Sequence, residues 1–280
     1  MAEMNVLTTL VVLTGVFGML IGSFLNVVVH RVPAGVSVVT PASRCPDCDT
    51  PIAPRDNVPV ASWVVLKGRC RHCRTPISVV YPLVELGTGV VFAGVALLAL
   101  PAILQASSGG DVVAAAARAL SLFWLAGASI ALTVIDLRTH RLPNVIVYPT
   151  VIIAATAAAL VAIGEGDVEV FARALASGGI LFGVYLLLGL LWRGGMGLGD
   201  IKLAAAVGIY LGTVGWGALL VGAFAAFVLG GILSILLLAT GVVNRKSGIP
   251  FGPWMLAGAW VGIIVGEQVF DAYVSFMGLG

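Results

Sequence analysis

Eight apolar stretches, most of them close to the length of a bilayer span, recur along this 280-residue chain, at roughly 5–29, 79–104, 113–135, 143–163, 174–192, 200–214, 217–240 and 252–276. Crossing the hydrocarbon core takes about 20 mostly apolar residues in a helix. Hydrophobic residues make up 60% of the chain and charged residues 10%, a balance that a water-soluble surface cannot accommodate. The chain therefore reads as an all-α polytopic membrane protein of about eight transmembrane helices, the sixth being the shortest. Residues 1–4 carry Glu3 and no basic residue, and no A-x-A site follows the first apolar stretch, so that stretch is read as a retained anchor.

Charge sets the orientation, because Lys and Arg are retained on the cytoplasmic side of spans. Thirteen of the fifteen basic residues fall on one side of this layout: seven between 31 and 74, then Arg138, Arg141, Arg193, Lys202, Arg245 and Lys246. The opposite connections hold only Arg118 and Arg173, beside Asp111, Glu165, Asp167 and Glu169. Both termini are expected to face outward. The net charge of +2 is explained by this topology and gives no pointer to nucleic acid.

One region is not membrane-like. "RCPDCDTPIAPRDNVPVASWVVLKGRCRHC" is polar and proline-bearing, long enough for a small module but short for an apolar core, so it needs a staple. Cys45 and Cys48 form one C-x-x-C and Cys70 and Cys73 another, with 21 residues between the inner cysteines, close to the spacing of a four-cysteine zinc ribbon. Arg44, Arg69 and Arg71 favour the thiolate form. The alternative is a pair of disulfides, which rarely persist in the reducing cytosol where the topology puts this loop. Four cysteines leave no open coordination position, so the metal is read as structural. His72 reads as a solvated loop residue. The expected organisation is an anchor at 1–30, a cytoplasmic zinc-ribbon-like module at 31–78 and a membrane domain at 79–280.

The remaining candidates sit at cytoplasmic span ends. Asp136 closes the third span in "ALTVIDLRTHRLPNVIV", with Pro143 placed to open the next helix; Asp200 opens the sixth after the glycine-rich "RGGMGLGD". An ionisable group at membrane depth is costly and by default a functional-site hypothesis. Taken singly, each has a structural reading: a helix cap for Asp200, an ion-pair partner of Arg138 or Arg141 for Asp136. Taken together they are the only acidic residues on the cytoplasmic side of spans three to eight. Two carboxylates in different environments can divide acid and base roles, one activating water while the other protonates the reacting group. Gly197 and Gly199 would let an extended substrate approach closely, although glycine is also common in membrane helices. Lys202 adds a cation near Asp200.

These residues resemble the bacterial type IV prepilin peptidases, along nearly the whole chain in order: "GSFLNVVVHRVP", "CPDC", "RDNVPVASWVVLKGRCRHCRTPIS", "YPLVELGTG", "IDLRTHRLPN", "GMGLGDIKL" and "IPFGPWMLAGA". The glycine, glycine, aspartate pattern at Gly197, Gly199 and Asp200 is also shared by intramembrane aspartyl proteases more broadly. The resemblance implies an endopeptidase in the bacterial inner membrane that removes the basic leader of prepilins and pseudopilins at the cytoplasmic face, with Asp136 and Asp200 as the catalytic pair. It also implies S-adenosylmethionine-dependent N-methylation of the new N-terminus, which in the family goes with the cysteine loop. Glu85 matches a glutamate associated with methylation; its plain alternative is a carboxylate favoured by the dipole at its own helix start. Asn144 departs from the family's frequent aspartate in "LPD". Two other classes compete: a proton-coupled transporter, which would more often carry midplane carboxylates and inverted repeats, and a non-catalytic zinc-ribbon scaffold, which leaves the paired aspartates unexplained.

Overall fold

The computed structural model of the chain describes residues 2–191, 196–241 and 248–278. Among these residues the fold is helical: α1 (Ala2–Arg31), α2 (Ala61–Val65), α3 (Val80–Leu104), α4 (Gly109–Thr139), α5 (Asn144–Glu165), α6 (Val168–Leu191), α7 (Leu198–Val214), α8 (Trp216–Ala239) and α9 (Gly252–Phe276), with one 3₁₀ turn at Pro54–Asp56. Two isolated β-bridges, Arg44 to Pro51 and Arg69 to Pro76, stand in place of sheet. Seven of the helices, all but α2 and α7, are long and apolar enough to cross a membrane. Arg193, Arg245 and Lys246, used above to orient the spans, lie outside the described residues.

Local chemistry sets the helix ends. Ser108 and Asp111 form a reciprocal capping box that starts α4 earlier than hydropathy alone indicates, at Gly109. α4 stops where His140 turns left-handed, and α5 stops at left-handed Gly166. α6 likewise begins before the apolar stretch, at Val168, and so contains Arg173; the Arg173 Nε donates to the Gly212 carbonyl at 2.8 Å, near the end of α7.

The chain divides into two compact units. The first comprises Met1–Gln105 and Leu122–Val134, the second Ala106–Ser121 and Ile135–Gly280. In the first, α1 packs along α3. Gly18 and Gly22 make this possible, since a Cβ at Gly18 would lie 2.6 Å from Phe92 Cβ and one at Gly22 2.7 Å from Glu85 Cα. Lipid supplies no hydrophobic drive between helices, so close backbone approach at small residues carries the association. In the second unit α8 pairs with α9 and α6 with α7, and α7 also touches α5, α8 and α9. This centrality accounts for the short sixth stretch: most of α7 from Ile201 to Gly212 is buried in protein. At 17 residues it is about 26 Å long, less than the roughly 30 Å of hydrocarbon.

Candidate active site and metal centre

Asp136 and Asp200 both belong to the second unit. Asp136 stands in the last turn of α4, is 4% exposed, and its Oδ2 accepts the Gly252 N–H at 3.1 Å. One turn later the His140 N–H donates to the Asp136 carbonyl and ends the helix. The ion pairs found among the described residues do not include Asp136, so Gly252 takes the place that Arg138 or Arg141 was expected to fill. Asp200 is half-buried in the first turn of α7, where its Oδ2 accepts the Gly197 N–H at 3.1 Å. The capping role expected of Asp200 is therefore real, and it fixes the direction of the carboxylate.

Leu142, in the short link between α4 and α5, ties the two neighbourhoods together. A Cβ at Gly199 would lie 2.8 Å from Leu142 Cβ, and one at Gly252 would lie 3.1 Å from Leu142 Cδ2 and 2.8 Å from Asp136 Oδ2. One apolar side chain thus rests against the glycine beside Asp200 and against the glycine that holds Asp136, and the two carboxylates lie within electrostatic range of one another. Glycine at both positions lets the backbone come this close. Behind Gly252 stands an aromatic wall: Tyr185, 2% exposed, packs at 6.1 Å on Phe251 and 5.7 Å on Phe227. Leu142, Gly252 and Tyr185 escaped the sequence reasoning. For Gly252 the Gly-Pro pair opening α9 was an available signal.

Lys202 turns away from Asp200. Its Nζ donates to Asn144 Oδ1 at 3.1 Å and lies 5.3 Å from the centre of the Tyr148 ring, so it braces α7 against α5. The side chain at position 144 matters as the partner of Lys202.

In the first unit the four cysteine sulfurs lie within 4.8 Å of one another, and none forms a disulfide. Four thiolates about 2.3 Å from one zinc sit roughly 3.8 Å apart in a tetrahedron; Cys45 and Cys73 sulfurs are 3.7 Å apart. The donor set fits a tetrahedral thiophilic metal. The two C-x-x-C segments are copies of one another, each reading C-x-x-C-x-T-P-I. In each, the first cysteine N–H donates to the threonine carbonyl, and the residue after the second cysteine, Asp49 or Arg74, is left-handed and donates back to the first cysteine. Contact with the Thr50 hydroxyl, then its backbone, holds the Cys48 thiol down at about 6. Cys45 goes the other way: backbone groups of Cys48 and Asp47 pull it down, but burial and the Cys48 and Cys70 sulfurs push it up to about 11. A cation at the centre would offset that mutual opposition. The Arg71 guanidinium, 2.5 Å from Asp56, clasps the module and holds the Asp56 carboxyl below its ordinary value.

Glu85 is the sixth residue of α3, beyond the first turn, and 9% exposed. Its Oε2 accepts the Val60 N–H at 2.7 Å, so its partner lies in the cysteine module and not at the start of its own helix.

Two family descriptions match the chain: the bacterial Peptidase A24 N-terminal domain over residues 16–99 and the type IV leader peptidase family over residues 123–235. Among curated proteins, a prepilin leader peptidase/N-methyltransferase of Aeromonas hydrophila is 32% identical, with 92% of each chain covered. Proteins of the same name from Burkholderia pseudomallei and Pseudomonas aeruginosa are 33% and 29% identical, covering 91% and 96% of this chain and 85% and 94% of their own. No solved structure matches.

Proposed function

The chain belongs to the type IV leader peptidase family, and from that premise we propose that it is a membrane-embedded aspartic endopeptidase that removes the leader of prepilins and pseudopilins and N-methylates the residue so exposed. The observation that carries the reading is the arrangement of Asp136 and Asp200 around Leu142, each with one carboxylate oxygen fixed by a backbone N–H. One carboxylate takes a proton from water as the water oxygen bonds to the scissile carbonyl carbon; the other donates a proton to the departing amine as the C–N bond breaks. Gly199 and Gly252 let Leu142 and Asp136 pack against their backbones, which fixes the pair, and the apolar stem of the substrate stays in the lipid.

The cysteine module holds one structural zinc through Cys45, Cys48, Cys70 and Cys73. S-adenosylmethionine supplies the methyl group when bound. The cavity of about 300 Å³ between α1 and residues 38–43 does not suit that donor, because Arg31 is the only charged residue in its lining and no carboxylate there faces a sulfonium or ammonium. The protein sits in the bacterial inner membrane with both termini outward and the aspartates toward the cytoplasm; Arg138, Arg141 and Lys202 beside the pair favour that orientation. A transporter or a scaffold would not call for a paired-carboxylate site beside the glycines, and the family relationship favours neither.

The test is incubation of the purified protein with a prepilin in lipid, followed by product mass with and without S-adenosylmethionine. Leader loss, plus 14 Da only with the donor on the order of one methyl per chain, is expected. Asp136→Asn and Asp200→Asn should each abolish cleavage while the protein accumulates normally. Full cleavage by either variant would remove that residue from the pair.

A further inference from the structure

The link 140–143 between α4 and α5 and the first turn of α7 are fastened to each other at two points. One is apolar: a Cβ at Gly199 would lie 2.8 Å from Leu142 Cβ. The other is polar: the Lys202 Nζ donates to Asn144 Oδ1 at 3.1 Å. The two contacts run in step along both stretches of chain, Leu142 then Asn144 on one and Gly199 then Lys202 on the other. Pro143 precedes α5 as an N-cap without a side-chain acceptor, and Asn144, the first residue of that helix, turns its side chain to α7.

The apolar contact has little direction of its own, because each atom pair in it contributes only a small attraction and a leucine can slide along a glycine backbone. A charge-assisted hydrogen bond fixes both distance and angle. The ion pairs among the described residues do not include Lys202, and its ammonium meets the Asn144 amide oxygen and, 5.3 Å from the ring centre, Tyr148, one turn further along α5. The link is anchored at its other end too, where the His140 N–H donates to the Asp136 carbonyl. Leu142 is thus suspended between the helix end that carries Asp136 and the residue that Lys202 holds.

We propose that Lys202 and Asn144 are positioning residues that form a clasp for hydrolysis: their bond keeps Leu142 in register against Gly199 and so sets where Asp200 stands relative to Asp136. The role rests on the peptidase activity proposed above. A clasp needs a donor and an acceptor in place, and the charge of Lys202 serves only to strengthen the bond. Asn144→Asp supplies an acceptor of higher charge and should keep it. Asn144→Leu and Lys202→Met, each close in size to the residue replaced, remove the bond from opposite ends.

Leader cleavage by the full-length protein in lipid is measured for kcat and KM, together with hydrogen exchange at the start of α7. Asn144→Leu and Lys202→Met should each lower kcat by about five- to tenfold with KM within about twofold. Their combination should fall no further, and Asn144→Asp should retain the parental rate. Adding Gly199→Ala should cost a smaller factor in Lys202→Met than in the parent, since a released Leu142 gives way to the new methyl group. Losses that multiply in the Asn144→Leu, Lys202→Met double variant would overturn the clasp, as would an equal cost of Gly199→Ala in both backgrounds or an Asn144→Asp as impaired as Asn144→Leu. A loss confined to Lys202→Met, with Asn144→Leu at the parental rate, would also overturn it, since the lysine charge would then act on Asp200 directly. A parent protein that does not release the leader would refute the peptidase reading, while exchange at the start of α7, expected to accelerate by about tenfold in both single variants, would still decide whether the clasp exists.

Discussion

Replacing Gly252 by alanine puts a methyl group where the site has no space for one. The new Cβ would lie 2.8 Å from Asp136 Oδ2 and 3.1 and 3.3 Å from the two Leu142 methyls, whereas ordinary contact begins at 3.4 Å. Asp136 would have to withdraw by roughly 0.6 Å while losing the geometry of its bond from the Gly252 N–H. A misplacement of about 1 Å costs on the order of 10²-fold in rate, so leader cleavage at saturating prepilin should fall by about tenfold. Overpacking should also cost about 1–3 kcal/mol of stability. Gly199→Ala provides the control, because its Cβ would meet only Leu142 among its nearest neighbours, at 2.8 Å from Cβ. Removing the whole wedge, Cβ included, with Leu142→Gly should therefore restore cleavage to Gly199→Ala and leave Gly252→Ala impaired. Rates of leader release, read by product mass, and thermal unfolding of each variant separate chemistry from stability. Equal rescue of both glycine variants by Leu142→Gly, or a parental rate in Gly252→Ala, would refute the placement of Asp136 against Gly252.

The cysteine module should carry one zinc per chain, and Cys70→Ser should lose it while impairing methylation more than cleavage; elemental analysis of protein purified without chelator decides the first point and paired assays the second. Acid should loosen the module through Asp56 as well. Its carboxyl is held below the ordinary 3.8 by Arg71, so the pair contributes in full above that value and the contribution is lost as pH falls through the lowered one, a loss that Asp56→Asn should remove from the pH dependence of thiol accessibility. For orientation, a single cysteine placed at Glu165 should react with an impermeant reagent in intact cells and one at Arg141 should not; the reverse pattern would invert the topology.

Spans, cysteine pairs and both aspartates could be read in the sequence because each depends on local pattern: apolar length, C-x-x-C spacing, a carboxylate where a span ends. The partners of those groups could not be read. Asp136 is held by Gly252, 116 residues away, and nothing near "VID" indicates that choice over the adjacent Arg138. Lys202 looked like support for Asp200 by proximity in sequence, yet residues two apart on a helix do not share a face, and Lys202 reaches Asn144 instead. Leu142 stands in the quoted "IDLRTHRLPN", but a leucine in a polar link gives no sign that it packs between two glycines far away in sequence. The duplicated C-x-x-C-x-T-P-I was legible, but as a sequence repeat it says nothing of the knuckle geometry that makes the two copies equivalent.

A helix of about 26 Å within a slab of about 30 Å cannot have both ends level with the two lipid–water boundaries. α7 is that helix, and its start is the end that carries Asp200. The first turn of any helix presents N–H groups that need acceptors from outside it, and Asp200 turns back to accept the N–H of Gly197, the residue just before α7. The Asp200 and Ile201 N–H groups turn back to the Gly197 carbonyl at 3.1 and 3.3 Å. Should the shortfall of this central helix fall at its Asp200 end, water could reach that carboxylate from beyond the helix start, and water is the second reactant of a hydrolase.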